Sequence, residues 1–280
     1  MIDKDKIFNI KPSALSYFCP RCAYDSQIRD LEYSGISAGI TQTLDGIEKD
    51  YFLGDCKKID ANLDEGEVID PYNITFYSKV LLDNKGRGFR IKGKGDAIIK
   101  FKDGTCGIID YKTSKFKKNN KRDYQFKDEN LEKKINEYDP QLHAYYKLYS
   151  NLEDDPNFLK SHSSAKSVNT IESSLEKKLE KIRKISVGEP KIFGLVFVYP
   201  ESEEKKLRIN ADSLSVNFSH RYCPVKIDLD NFMSKITSYL DLMFDENSPP
   251  RNNKCDMCRF LDKYDNCNIW VIIFYEKEKY

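Results

Sequence analysis

Two aspartates and a lysine carry the most specific chemistry in this sequence. The run Gly93-Lys94-Gly95-Asp96-Ala97-Ile98-Ile99 precedes a second, Ile108-Ile109-Asp110-Tyr111-Lys112-Thr113. Side chains two apart on a strand leave the same face, so Asp110 and Lys112 emerge together while Tyr111 goes to the other side. Between the runs, Lys102-Asp103-Gly104-Thr105 reads as a hairpin turn, because Asp-Gly accepts the positive φ that tight hairpins demand. That hairpin brings Asp96 alongside Asp110. Two carboxylates and an ammonium converging at a strand edge can hold a hard divalent cation and still offer a positive group to a water or a phosphate. Magnesium suits oxygen ligands and keeps several waters, one of which can attack a phosphodiester. An isolated D-x-K is more often a surface ion pair; here it is followed by a helical segment bearing Asp139-Pro140-Gln141-Leu142-His143-Ala144-Tyr145.

The cysteines form a second constellation. Cys19 and Cys22 make one C-x-x-C pair, Cys255 and Cys258 another, and Cys267 follows. Each pair lets two sulfurs converge on one metal, and two pairs far apart in the chain supply four soft ligands that clamp its ends together. The basic neighbours Arg21 and Arg259 are expected to lower the thiol pKa values. Zinc and a 4Fe–4S cluster both accept four thiolates. Cys56, Cys106 and Cys223 stand singly and read as small packing residues.

The elements that must position these groups follow from periodicity. Apolar spacing predicts a helix over 11–34, and a second from Ile40, Leu44, Ile47 and Tyr51 with those four facing the core. Residues 69–111 change to short β-branched and aromatic runs split by turn signals, 131–149 return to a helix with Tyr138, Leu142, Tyr145 and Tyr149 on one side, and Ile192–Tyr199 reads as a buried central strand. A last helix covers 228–244 and ends before Pro249-Pro250. Residues 151–190 are lysine- and glutamate-rich and read as a polar, solvent-exposed insertion. The whole is expected to be one domain over 1–280, with a catalytic core at 69–149 and cysteine segments at 1–35 and 245–270.

The ordered set of G-x-x-D, hairpin, D-x-K and Q-x-x-x-Y resembles the PD-(D/E)XK nuclease superfamily, in its RecB-like branch, which includes the CRISPR-associated exonucleases and the AddB-type helicase-nucleases. The resemblance implies an α/β protein of the α+β type, with a restriction-endonuclease-like core whose central mixed sheet is flanked by helices. It also implies a Mg²⁺- or Mn²⁺-dependent deoxyribonuclease: Asp96, Asp110 and the Tyr111 carbonyl as metal ligands, Lys112 as the catalytic lysine, and Gln141 and Tyr145 as its helix motif. In relatives an N-terminal cysteine and a late C-x-x-C with one more cysteine bind an iron–sulfur cluster, matching Cys19, Cys255, Cys258 and Cys267. Cys22 is then a fifth candidate, and either it or Cys267 is spare. Relatives often carry a histidine four residues after a glycine on an upstream helix; here Thr43 follows Gly39 at that spacing, and Asp45 is the substitute ligand, with Asp45 and Glu48 otherwise a solvated face. His143 is expected at a helix surface or in packing.

Composition sets limits. The 280 residues carry 46 Lys+Arg against 45 Asp+Glu, which excludes a supercharged nucleic-acid binder. The balance is a cancellation, since residues 85–134 alone hold 16 basic and 7 acidic side chains. Lys115-Phe116-Lys117-Lys118 and Lys121-Arg122 form a basic strip beside the metal site, suited to a DNA backbone. No apolar stretch approaches a membrane span, no signal-peptide core follows Met1, and no Walker-type ATP motif occurs, so a cytoplasmic protein without ATP or membrane partners is expected. Any unwinding would come from a partner helicase, and an integrase is a further candidate partner. The competing readings are a catalytically inactive nucleic-acid binder on the same fold and a zinc-stabilised adaptor.

Overall fold

A computed structural model describes residues 6–16, 19–29, 31, 39–71, 74–113, 118–119, 122–123, 128–162, 168–200, 208–210, 213–215 and 218–266. Cys267, and Lys115, Phe116, Lys117 and Lys121 of the basic strip, lie outside these.

The chain opens with β1 (Phe8–Ile10), α1 (Pro12–Ser16) and α2 (Pro20–Ile28). Periodicity predicts one helix here, but Pro20 lacks the N–H that would continue a helix and its ring collides with the preceding turn, so it starts a new helix with Cys19 at the N-cap. Next come α3 (Gly39–Phe52), β2 (Gly66–Ile69), β3 (Phe76–Tyr77), β4 (Leu81–Leu82), β5 (Gly88–Gly93), β6 (Ala97–Phe101) and β7 (Cys106–Thr113). The β6–β7 hairpin turns at Gly104, whose φ of 85° is the left-handed value the Asp-Gly pair predicts. The short β8 (Lys118–Asn119) and β9 (Arg122–Asp123) precede α4 (Asp128–Ser150), α5 (Pro156–Ser161) and α6 (Val168–Ile185). The rest is β10 (Pro190–Pro200), β11 (Arg208–Asn210), β12 (Ser213–Ser215), β13 (Phe218–Val225), α7 (Leu229–Phe244) and α8 (Asp256–Asn266).

Among the described residues the main sheet runs β13-β10-β7-β6-β2, with β7 and β10 parallel and the other pairs antiparallel. The parallel pair forces a long crossover, which α4, α5 and α6 occupy. β10 is buried on both faces: Phe193, Leu195 and Phe197 join the cluster of Leu142, Tyr149, Ile236 and Leu240 from α4 and α7, while Val196 and Val198 meet Phe52, Ile109 and Tyr111 opposite. This explains the unbroken apolar run of that strand. A second sheet sets β1, β3 and β4 around β5, with β1 parallel to it. The result is a mixed α/β fold with helices flanking mixed sheets, consistent with a restriction-endonuclease-like core.

Two expectations change. In α3, Ile47 and Tyr51 are 58% and 56% exposed, the buried ones among its described side chains are Glu48 and Phe52, and the side chain of Ile40 lies outside the description. In 151–190, Leu159 of α5 and Ile182 and Ile185 of α6 belong to the main core, so the segment is anchored by a few apolar contacts despite its polar composition.

Candidate functional site

The candidate metal-site residues are positioned by the β6–β7 hairpin and α4. Ala97 pairs with Ile109, which places Asp96 beside Asp110, and Asp96 Oδ2 accepts a hydrogen bond from the Tyr111 N–H at 3.0 Å. The Tyr111 side chain leaves on the other face and stacks on Phe52, ring centroids 5.2 Å apart. Asp110 is 1% exposed. Its Oδ2 lies 2.6 Å from the Lys112 ammonium yet accepts no well-directed hydrogen bond, so this is an ion pair by distance only. Burial pushes the Asp110 carboxyl well above its usual range, with Lys112 opposing and Asp96 adding to the rise.

Gln141 connects the site. Its side-chain amide donates to Asp110 Oδ1 at 3.2 Å and to the Tyr145 hydroxyl at 3.0 Å, and its Oε1 accepts from Lys112 Nζ and Ser16 Oγ, both at 3.2 Å. Residues 141 and 145 are one helical turn apart, so one face of α4 reaches the strand edge with both side chains. Lys112 also sits 4.5 Å from the Tyr138 ring centroid. Tyr149, one turn further on, accepts from the Gly95 N–H at 2.6 Å; a Cβ at Gly95 would fall 2.9 Å from that hydroxyl, so only glycine allows the approach that sets Asp96.

From α3, Asp45 pairs with Lys49 at 3.0 Å, and Lys49 lies 3.4 Å from Asp96 Oδ1. The carboxylate turned inward is Glu48, 6% exposed, with Oε1 accepting from the Thr113 hydroxyl at 3.0 Å. Burial lifts its pKa to about 7 against the Thr113 hydrogen bond, helped by the charges of Asp45 and Asp96. Sequence reasoning missed Glu48; the available signal was the i, i+4 spacing from Leu44 through Glu48 to Phe52, outweighed by the apolar Ile47 and Tyr51. A pKa near 7 has a consequence. Between about pH 4.5 and 7 the unfolded chain releases this proton while the metal-free folded protein keeps it, so stability falls as pH rises through that window and stays lower above it. Glu48→Gln should therefore stabilise the metal-free protein at pH 8 by about 1–3 kcal/mol, and by little at pH 4.5. Thermal unfolding of both proteins at the two pH values measures this, and an equal gain at both would show the wrong cause.

The carboxylates fit a divalent ion. A buried aspartate with an undirected oxygen, next to a second carboxylate, is a costly arrangement that a cation between them relieves. Among the described residues Asp96, Asp110 and the α3 acids do not form a group of three ligand atoms within 4.8 Å of one another. That suits Mg²⁺, which is held by one or two carboxylates and retains waters.

The second centre is tighter. Cys19, Cys22, Cys255 and Cys258 bring their sulfurs within 4.8 Å of one another, with Cys19–Cys258 and Cys22–Cys255 at 3.6 Å and Cys22–Cys258 at 3.8 Å. The set joins the start of α2 to the start of α8. Arg21, between the first two cysteines, donates to Asp25 Oδ2 and Ser248 Oγ at 2.8 Å and to the Pro249 carbonyl at 3.2 Å, tying α2 to the segment before the second pair. The expected lowering of thiol pKa fails at Cys22 and Cys258: burial and neighbouring thiols raise Cys22, and burial raises Cys258. Arg21 is spent on Asp25, and Arg259 on Asp256, so neither guanidinium serves the sulfurs. Cys255 is lowered, because backbone N–H groups of α8 and the Cys22 thiol overcome its burial. Four such thiols ionise together only around a cation.

His143 is a packing residue. It is fully buried between Phe193 and Phe232, and its Nε2 accepts from the Asp228 N–H at 2.9 Å while Nδ1 meets the Asp139 carbonyl. Cys56, Cys106 and Cys223 are buried free thiols. Among the described residues no helix is long and apolar enough to cross a membrane.

The sequence profile of the PD-(D/E)XK nuclease superfamily matches residues 57–262, which contain the hairpin, the α4 motif and the late C-x-x-C. The chain belongs to the PD-(D/E)XK nuclease superfamily. It is a metal-dependent nuclease in general chemistry. No curated protein matches in sequence. A solved structure described as "Crystal structure of SSO0001" is similar at 16% identity and a TM-score of 0.43, over 94% of this chain and 86% of the other.

Proposed function

We propose that this protein is a RecB-like deoxyribonuclease that hydrolyses phosphodiester bonds from ends of DNA, as an exonuclease on single-stranded or end-containing substrates. The observation that supports it most is Gln141, which ties Asp110, Lys112 and Tyr145 into one network with Asp96 beside it. A surface ion pair has no use for such a bridge. Asp96, Asp110 and the Tyr111 carbonyl would hold Mg²⁺ or Mn²⁺, which when bound would supply Lewis acidity and a water of lowered pKa. Glu48 is the α3 side chain that replaces Asp45 as the added ligand. Lys112, held beside Asp110 and steered by Gln141 and the Tyr138 ring, donates to a non-bridging phosphate oxygen and stabilises the charge that grows there. Tyr145 holds the Gln141 amide in the orientation that leaves Oε1 facing Lys112.

The thiol centre is read as a single tetrathiolate ion, zinc by its preference for four sulfurs. Four sulfurs about 2.3 Å from one centre lie about 3.8 Å apart in a tetrahedron, close to the observed spacings. In a 4Fe–4S cluster each thiolate holds a different iron, which spreads the sulfurs further. On this reading Cys267 is the spare thiol.

One preparation tests both. Mn²⁺-dependent loss of a labelled linear single strand, with a closed circle left intact, supports the end-directed nuclease; cutting of the circle means endonucleolytic action, and no cutting of either sinks the enzymatic reading. Metal analysis giving one zinc per chain without visible absorbance supports the mononuclear centre, whereas iron with inorganic sulfide and a visible band identifies the cluster.

A further inference from the structure

Away from both centres, a cleft of about 670 Å³ lies between the β3–β5 strands and α5–α6. Tyr77, Lys92, His162, Lys177, Lys178 and Lys181 contribute to its lining, and no carboxylate does. Two of the lysines converge on one ring: Lys92 Nζ is 5.3 Å and Lys178 Nζ 5.8 Å from the Tyr77 centroid, with the His162 ring 5.2 Å from it. Among the described residues neither Lys92 nor Lys178 has an acidic partner. Cations nearby are treated differently, since Arg90 pairs with Glu153, Arg87 with Asp83 and Lys79 with Asp154. Like charges gathered around a ring repel, and burial holds the Lys178 ammonium below its ordinary pKa. A concave surface with unbalanced positive charge and aromatic side chains is complementary to a phosphate backbone carrying bases.

Lys92 leads straight to the metal site. Asp96 is four residues further on, so the two Cα atoms are at most about 14 Å apart even in extended chain. Lysines spread along a turn of α6 and an opposing strand suit a repeated backbone better than one phosphate, which is usually gripped by convergent N–H donors.

We propose that this cleft is a second subsite for single-stranded DNA, holding phosphates a few nucleotides from the bond that the metal site cuts. The identity of the strand rests on the nuclease reading above. Fluorescence anisotropy of a labelled single-stranded oligodeoxynucleotide, without added Mg²⁺ or Mn²⁺, tests it. Lys92→Glu with Lys178→Glu should raise Kd at least about tenfold, while Lys102→Glu with Lys191→Glu, at the β6–β7 turn, should leave it unchanged. If the first pair disturbs folding, Lys92→Gln with Lys178→Gln should still weaken binding and make the logarithmic salt slope shallower by about 1.4, the loss of two single-strand phosphate contacts. Unchanged affinity and slope in the glutamine pair would overturn the proposal. So would a mononucleotide that binds the parent as tightly as the oligonucleotide and loses its site in the same variant. Cleavage by the parent on adding Mn²⁺ is scored separately: a parent that binds through the cleft but never cuts sinks the nuclease reading and leaves the subsite standing.

Discussion

Replacing Lys112 with Met should abolish metal-dependent cleavage, by a factor of about 10² to 10⁴, and should also destabilise the protein. The two effects have separate origins. Activity should be lost because, among the described residues, no other cation is held by Gln141 and Asp110 at the strand edge; Lys49, near Asp96, is tied to Asp45 one turn before it in α3. Stability is lost because Asp110 is fully buried, and removing its partner strands a carboxylate, a loss of about 3–5 kcal/mol in comparable buried pairs. The cost here should fall below that range, since burial already pushes the Asp110 carboxyl well above its usual range. The double change Asp110→Asn with Lys112→Met removes both charges and should recover most of the melting temperature but none of the activity. Recovery of activity in that double variant would contradict the assigned roles. Lys112→Arg should stay inactive, because a planar fork cannot replace a compact ammonium between Asp110, Gln141 and the Tyr138 ring.

The second large effect belongs to the thiols. Stripping their metal, or making Cys22→Ser, should lower stability by up to about 5 kcal/mol, the scale for closing a loop of more than 100 residues. Cys19 and Cys258 are 239 positions apart, and beyond Arg21 and its contacts the described structure gives α2 and α8 few other links. Thermal unfolding before and after chelation measures the loss. Cys267→Ser should keep both the metal and the melting temperature; a drop in metal content in that variant would show that Cys267 is a ligand.

The local parts of this architecture were legible. A D-G turn between two β-branched runs specifies its own hairpin, and Gln141 with Tyr145 at helical spacing specifies one face of α4. Orientation was harder. In α3 the apolar Ile47 and Tyr51 face outward and Glu48 inward, because what decides the helix rotation is the neighbouring sheet, with Phe52 stacked on Tyr111, and periodicity contains no information about that neighbour. Residues 151–190 misled for a related reason: three buried aliphatics, Leu159, Ile182 and Ile185, suffice to anchor a segment whose average composition is polar. Arg21 read as a basic influence on the thiols because its acceptors, Asp25, Ser248 and Pro249, meet only in the folded chain.

The parallel pairing of β7 with β10 also sets the order of assembly. Asp110 is opposite Leu195 and Lys112 opposite Phe197, so the strand that braces the reactive edge is made more than 80 residues after it. The β6–β7 hairpin needs only its own turn and can form early, but contacts of that sequence separation form late. A ribosome that has produced every acid, lysine and glutamine of the site therefore still carries an unbraced hairpin. The enzyme should therefore stay silent until β10 has docked, and fragments ending before β10 should be inert.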